Sequence, residues 1–410
     1  MRKQLHGTVT LPGSKSESNR ALMIAAYGGF PLEAENLSEA HDTVLLRALL
    51  NHVDCSDSGA VVTVDCEDAG TVSRFMMTYL SCKQGSWLLT GTERLRQRPM
   101  APLIVALRQL GADITCLEEE GCLPVRIQGR ALQGGDVGMD VSQSSQFATS
   151  LLLAAPVWEK GLRLRLESKL VSEPYLQMTV AMMRHFGADV AWEGSEIIVR
   201  HQLYRSCRFA VSVDWSSASY WYEMMALSEG GELLLEGLEK DSFQGDSMVA
   251  KLFETFGVRT VFERQGVRIT KNGSVPNTDA EPLVFDFTDT PDLFPAVFVT
   301  CVALHLKAVF KGIATLSLKE SNRINSLISE LSNYYKFINI LYDDTIMIEK
   351  SSLSNVDINE KKVTFNTYND HRIAMALAGL SLRFETISFD SPNVVCKSYP
   401  DFWDNFKTLI

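Results

Sequence analysis

Three stretches of this chain repeat one pattern: an apolar-periodic helix, a glycine, then a short strand. They are Leu103 to Leu110 followed by Gly111-Ala112-Asp113-Ile114, Met178 to Phe186 followed by Gly187-Ala188-Asp189-Val190, and Met248 to Phe256 followed by Gly257-Val258-Arg259-Thr260. Each glycine stands where a helix C-terminus takes a left-handed residue, which only glycine adopts without steric cost. Weaker copies are Val44 to Val53 and Ile328 to Ile340, with Asn51 and Tyr335 in the glycine position. The strong copies lie roughly 70–76 residues apart, too long for a common solenoid repeat and suited to a small unit of two helices and several strands.

Strand candidates lie between the helices: Val61 to Cys66, Ser86 to Thr90, Val125 to Gln128, Leu162 to Glu167, Ile197 to Arg200, Glu232 to Glu236, Val267 to Thr270, Ala308 to Phe310, Thr345 to Glu349, Lys362 to Phe365 and Thr386 to Phe389. The mixture predicts an α/β (α+β) architecture. Lys350 to Lys362 is polar and aperiodic and reads as a surface loop. At 410 residues the chain is long enough for two or three cores.

The helix starts carry the chemistry. Leu11-Pro12-Gly13-Ser14-Lys15-Ser16 breaks the backbone, and a helix then begins that carries Arg20 and that Gly28-Gly29 stops. A helix start bears positive partial charge, so cations there are disfavoured unless an anion joins them. Backbone N–H groups, hydroxyls, a Lys and an Arg at one helix start describe a site for phosphate or carboxylate. The oddity recurs at Asp68-Ala69-Gly70-Thr71-Val72-Ser73-Arg74, at Arg98-Pro99 with Pro in the favoured first position, at Ser142-Gln143-Ser144-Ser145-Gln146, at Lys319-Glu320-Ser321-Asn322-Arg323 and at Asn369-Asp370-His371-Arg372. Taken singly, these residues have plainer readings. Lys15 and Arg20 read as a surface pair, His371 as a capping histidine, and Asp292, Ser144 and Ser145 as helix caps. Gly13-Ser14-Lys15-Ser16 is no nucleotide P-loop, since Ser14 replaces the glycine expected before the lysine.

The net charge of −11 argues against broad nucleic-acid or anionic-membrane binding and favours a small anion in a focused pocket. The eight cysteines are scattered without a CxxC or zinc-like spacing, as expected of reduced thiols in a cytoplasmic protein. The N-terminal residues lead straight into a strand, so no signal peptide is expected, and no apolar run is long enough to span a bilayer.

Taken in order, the motifs resemble the 5-enolpyruvylshikimate-3-phosphate synthases, of the enolpyruvyl transferase family, over nearly the full length. They are Leu11 to Ser16 with Arg20; Ala69-Gly70-Thr71 with Arg74; Arg98-Pro99-Met100; Ser144 to Phe147; Ser172 with Pro174-Tyr175; Pro291-Asp292; Lys319-Glu320 with Arg323; Asn369 to Arg372; and Lys397 before Pro400-Asp401. The resemblance implies two domains, each of three βαβαββ units, with helix N-termini facing the interdomain cleft. Residues 14–214 would form one domain, and 1–13 plus 215–410 the other. It implies transfer of the enolpyruvyl group of phosphoenolpyruvate to the 5-hydroxyl of shikimate 3-phosphate, with release of phosphate. Phosphoenolpyruvate and shikimate 3-phosphate would be the partners of a monomer, with no metal or organic cofactor, no nucleic acid and no membrane. It further implies inhibition by glyphosate at the phosphoenolpyruvate site.

Roles follow by motif. Lys15, Ser16, Arg20, Ser144, Ser145, Gln146, Ser172, Asp292 and Lys319 would hold shikimate 3-phosphate. Lys15, Gly70, Arg98, Gln146, Arg323, Arg372 and Lys397 would hold phosphoenolpyruvate. Asp292 would be the base for the 5-hydroxyl, Glu320 would exchange the methylene proton, and Lys15 would assist at the departing phosphate. The chain departs from the family pattern at Asp68 (usually Asn), Phe75 (usually Pro), Asn322 (usually Asp), Glu173 (often Lys) and Thr315-Leu316-Ser317, which lacks the usual polar and basic residues. The related UDP-N-acetylglucosamine enolpyruvyl transferases have Lys-Asn where this chain has Lys15-Ser16, and a reactive cysteine where the Gly91 to Arg98 loop has none. A non-catalytic binding protein of the same fold is the alternative from another class.

Overall fold

A computed structural model describes residues 4–56, 60–353 and 362–410. The chain divides into two compact units, Lys15–Val211 and Met1–Ser14 with Ser212–Ile410. The helices of the Lys15–Val211 unit are α1 (Lys15–Gly28), α2 (His41–Asp54), α3 (Gly70–Cys82), α4 (Glu93–Arg96), α5 (Ala101–Gln109), α6 (Ser145–Ala154) and α7 (Glu173–His185). Those of the other unit are α8 (Trp215–Leu227), α9 (Val249–Glu254), α10 (Phe294–Ala303), α11 (Arg323–Ser332), α12 (His371–Ala378) and α13 (Phe402–Leu409).

One topology is used four times. A strand, a helix, a second strand parallel to the first, a second helix and an antiparallel hairpin make a four-stranded sheet in the spatial order first, second, fourth, third. In the Lys15–Val211 unit the first copy runs Val61–Asp65, α3, Gly85–Thr90, α5, Asp113–Cys116 and Val125–Gly129. The second runs Gly135–Met139, α6, Leu162–Leu166, α7, Val190–Glu193 and Glu196–Val199. In the other unit one copy runs Leu5–Thr10, α8, Gly231–Glu236, α9, Val258–Glu263 and Gly266–Lys271, the whole Lys15–Val211 unit being inserted after its first strand. The last runs Leu283–Asp286, α10, Ala308–Lys311, α11, Asn339–Tyr342 and Thr345–Ile348. The third copy in each unit is reduced to a parallel two-stranded pair with its helices: Ala34–Glu35 with Phe209–Ala210, and Val363–Phe365 with Ile387–Phe389.

The three repeat glycines end the second helix of three of these copies, and all are left-handed, with φ of +94° at Gly111, +89° at Gly187 and +78° at Gly257. The two weaker copies fail. Asn51 lies inside α2, which continues to Asp54. Tyr335 is in a short strand paired with Ser352–Leu353, after α11 has ended at Ser332 with a right-handed Asn333. That pairing also takes two residues of the expected Lys350 to Lys362 loop, of which 354–361 lie outside the described residues. Pro99 is not the first residue of its helix: Met100 is the N-cap, and Pro102 sits in the first turn of α5.

Each unit has its own apolar core. Met76, Leu80, Trp87, Leu103, Ile127, Leu151 and Met183 are buried in one. In the other, Trp215, Trp221, Leu235, Phe294, Phe298, Phe310 and Ile346 pack with edge-to-face contacts such as Phe287 on Phe294, 5.6 Å between centroids. Two parallel strands per copy send their carboxyl ends to one side of each sheet. The helix that follows each strand therefore begins there, and ligands gather at such strand ends in α/β proteins.

Candidate active site

Every candidate residue except Arg20, which lies further along α1, is at or just before the first turn of a helix or in a helical turn. In the Lys15–Val211 unit, α1 begins at Lys15, whose Nζ lies 3.0 Å from Asp42 Oδ2 on α2. Arg20 is buried and braced: Nε donates to Thr179 Oγ1 (2.8 Å), Nη1 to the Ser16 carbonyl (2.8 Å) and Nη2 to the Tyr175 carbonyl (3.2 Å). Burial lowers its pKa to about 10, partly opposed by Tyr175 and Glu17. Arg20 thus ties α1 to the first turns of α7. Ser172 is the N-cap of α7, yet its backbone is left-handed (φ 57°, ψ 42°) and its hydroxyl makes no capping bond. For a non-glycine residue that conformation is strained, by about 1–3 kcal/mol, and such strain gathers at ligand sites.

Ser144 caps α6 by accepting from Gln146 N (3.2 Å), and Ser145 is the first helical residue. The Gln146 side chain accepts from Arg74 Nη1 (2.6 Å) and donates to Thr71 Oγ1 (3.0 Å), which joins the starts of α6 and α3. Arg74 also lies over the Phe147 ring at 5.1 Å. The α3 start has Ala69 at its N-cap and no side-chain cap. Gly70 there is packed against the buried Arg98: a Cβ built on Gly70 falls on the Arg98 guanidinium, 2.7 Å from Cζ.

The other unit holds a tighter cluster. Asp292 lies in a 3-10 turn, Pro291–Leu293, ahead of α10. It is not a cap. Its carboxylate is shared between Arg323 Nη1 (2.8 Å to Oδ1) and Arg372 Nη2 (2.7 Å to Oδ2). Burial raises its pKa, but Arg372, Arg323 and Lys319 together outweigh that and hold the carboxyl well below the usual range. Arg323 also donates from Nη2 to Glu320 (3.0 Å) and from Nε to Asp370 Oδ2 (2.9 Å). Asp370, fully buried, caps α12 by accepting from Arg372 N (3.0 Å) and takes a third bond from Ser321 Oγ (3.1 Å). Arg372 Nη1 donates to Tyr220 OH (3.4 Å). Lys397 ends a 3-10 turn, Pro392–Lys397, and is buried.

Sequence reasoning assigned no role to Asp42, Arg74, Thr179, Tyr220, Asp246 or Asp370. Asp370 stood in plain view in its motif. Asp246, hydrogen-bonded by Ser216 Oγ, is buried at the start of the helical turn before α9. Burial and then the Asp292 charge push its carboxyl up to about 7, against the pull of Arg372. Two departures from the family pattern are locally accommodated. Asn322 caps α11 by accepting from Asn325 N (3.2 Å), and Glu173 accepts from Gln177 Nε2 (2.8 Å). Phe75 is buried in the core.

Repeated βαβαββ sheets with cations and hydroxyls at their helix starts define the class, an α/β protein of two such units. The sequence model of EPSP synthase (3-phosphoshikimate 1-carboxyvinyltransferase) matches residues 1–406. The 3-phosphoshikimate 1-carboxyvinyltransferase of Bacteroides fragilis is 40% identical over 406 residues, covering 98% of this chain and 95% of its own. That of Syntrophobacter fumaroxidans is 32% identical, covering 98% and 96%. The solved EPSP synthase of Acinetobacter baumannii superposes with a TM-score of 0.73 at 24% identity, covering 100% of this chain and 96% of that one. The chain belongs to the EPSP synthase family.

No helix among the described residues is long and apolar enough to cross a membrane.

Proposed function

We infer that this chain is a 3-phosphoshikimate 1-carboxyvinyltransferase: it moves the enolpyruvyl group of phosphoenolpyruvate to the 5-hydroxyl of shikimate 3-phosphate and releases phosphate. Family membership supports the reaction. The observation that supports the site is the Asp292–Arg323–Arg372 cluster with Glu320 beside it.

The two substrates bring two phosphates and two carboxylates. Arg323, Arg372 and Lys397 are assigned to phosphoenolpyruvate, as are Gly70, Arg98 and Gln146. Ser144, Ser145 and Ser172 take the phosphate of shikimate 3-phosphate, with Ser16, Arg20, Gln146 and Lys319 around the rest of it. In the reaction the methylene carbon of phosphoenolpyruvate gains a proton and the 5-oxygen bonds to its neighbour while losing its own proton. The methylene-derived carbon then loses a proton as the carbon–oxygen bond to phosphate breaks. Asp292 accepts the 5-hydroxyl proton, Glu320 exchanges the proton on carbon, and Lys15 assists at the departing phosphate.

Asp292 as it stands is a poor base, because two guanidinium groups hold its carboxylate. The anion of phosphoenolpyruvate competes for the same guanidinium protons. Its arrival weakens their hold and makes Asp292 more basic when a hydroxyl is there to use it. We place the protein in the cytoplasm as a monomer. The test is phosphate release with both substrates present. The reading requires release that depends on each of them and none when UDP-N-acetylglucosamine replaces shikimate 3-phosphate. Release without the second substrate, or none with both, overturns it.

A further inference from the structure

Glu330 lies on α11 seven residues after Arg323, about two turns along the same face. It is 2% exposed, and its carboxylate is fully engaged. Oε2 accepts from Asn366 N (3.0 Å), and Oε1 accepts from Asn366 Nδ2 (3.1 Å) and Tyr368 OH (2.6 Å). Asn366 and Tyr368 belong to the turn that leads into α12. That turn contains two successive non-glycine residues in the left-handed region, Tyr368 (φ 55°) and Asn369 (φ 53°). Such a conformation is strained for Tyr368 and persists only where its surroundings enforce it.

The same turn ends at Asp370, which Arg323 holds through Nε. One face of α11 therefore grips the 366–372 segment twice: Arg323 on Asp370, and Glu330 on Asn366 and Tyr368. Asp390 Oδ1 also accepts from Thr367 N (2.8 Å), and the Glu330 bonds add a hold on Tyr368, the first of the two left-handed residues. The second grip fixes the direction in which α12 leaves the turn, and with it the aim of Arg372. That guanidinium meets the Arg323 guanidinium on the two oxygens of one carboxylate, Asp292.

We propose that Glu330 is a positioning residue for phosphoenolpyruvate. It clamps the strained turn so that Arg372 and Arg323 converge on one anion. The proposal rests on the assignment of those two arginines to phosphoenolpyruvate. A carboxylate is required because three donors point at it. Glutamine has nearly the same shape, but its NH2 would face a donor.

The test is steady-state kinetics with each substrate varied in turn, on the parent, Glu330→Gln, Tyr368→Phe and Arg372→Lys, with melting temperatures alongside. Glu330→Gln is expected to raise the KM for phosphoenolpyruvate about 10-fold or more, and Tyr368→Phe about 3-fold, while the KM for shikimate 3-phosphate stays within about 2-fold. The Glu330→Gln change made in Arg372→Lys should add less than about 2-fold, since Glu330 acts through Arg372. Tyr368 is 38% exposed, so its variant carries the test if Glu330→Gln does not fold. An unchanged KM for phosphoenolpyruvate in Tyr368→Phe and in folded Glu330→Gln overturns the proposal. So does a lowered melting temperature with both KM values moving together. An unchanged KM in Arg372→Lys overturns the arginine assignment, and the proposal with it.

Discussion

Replacing Asp292 with asparagine should move binding and turnover in opposite directions. The carboxylate is bonded to Arg323 and Arg372 at 2.8 and 2.7 Å, so on the proposed assignment of those arginines it competes with phosphoenolpyruvate for them. A unit charge about 5 Å from a bound substrate anion, at an effective dielectric constant of about 20, repels it by about 3 kcal/mol. Removing that charge while keeping the shape relieves the repulsion and frees guanidinium protons. Full relief corresponds to about 100-fold in affinity, and rearrangement of the arginines reduces it, so Asp292→Asn should bind phosphoenolpyruvate about 10-fold or more tightly. Its kcat should fall by roughly 10² or more, the usual cost of losing a positioned base. Calorimetric titration with phosphoenolpyruvate gives the first quantity, and phosphate release at saturating substrates the second. Weaker binding by the folded variant would show that Asp292 organises the arginines rather than competing for them. A near-normal kcat would remove it from the proton transfer.

Gly70→Ala places a methyl on the Arg98 guanidinium, the far end of a flexible side chain that must then shift, so the KM for phosphoenolpyruvate should rise and the inhibition constant for glyphosate rise further, by about 10-fold. Inhibition curves at several phosphoenolpyruvate concentrations check this, and equal changes in the two constants count against it. Ser172→Gly relieves a left-handed serine while removing a hydroxyl assigned to the shikimate phosphate, so the melting temperature should rise and the KM for shikimate 3-phosphate increase about 10-fold. A drop in melting temperature, or an unchanged KM, refutes one half or the other. Glu223 is fully buried on α8 with neither carboxylate oxygen hydrogen-bonded, and burial pushes its carboxyl well above the ordinary value of 4.5. Between 4.5 and that raised value the folded chain keeps a proton the unfolded chain has lost, so stability falls by up to about 1.4 kcal/mol per pH unit as pH rises. Glu223→Gln should therefore stabilise more at pH 8 than at pH 5, read as melting temperature, and a pH-independent difference would refute the protonated carboxyl.

What the sequence disclosed was local or repeated. Gly111, Gly187 and Gly257 were legible because a left-handed helix end leaves a mark on one residue type. Ser144 and Asn322 cap their helices within three residues along the chain, and cap chemistry is short-range. The failures are of two kinds. Asn51 and Tyr335 were placed by analogy with the glycines, although neither backbone is left-handed. Asp292 has the look of a cap, but its partners are 31 and 80 residues away. The same distance hid Asp42 from Lys15, 27 residues apart, and Thr179 from Arg20, 159 apart. Nothing in a single chain marks which buried carboxylate will face which guanidinium, because that pairing is decided by sheet order.

Sheet order also explains how an acidic protein keeps a cluster of cations in place. In the unit formed by Met1–Ser14 and Ser212–Ile410, the copy that starts with Leu5–Thr10 puts acids at both of its helix starts, Asp214 and Asp246. The copy that starts with Leu283–Asp286 puts Asp292 at one, and Lys319, Glu320 and Arg323 at the other. The reduced copy contributes Arg372 and Lys397, with Asp370 between the two arginines. Each arginine therefore arrives with a carboxylate supplied by a neighbouring copy, so neither is buried against its like without compensation. An incoming anion then need not create charge balance in the site. On the proposed assignment it exchanges with Asp292, which is bonded to both arginine side chains and is 21% exposed, whereas Asp370, fully buried, stays to hold the geometry. The division follows from position. A carboxylate in a helical turn at the rim can yield its partners, and one that caps α12 cannot leave without uncapping the helix that carries Arg372.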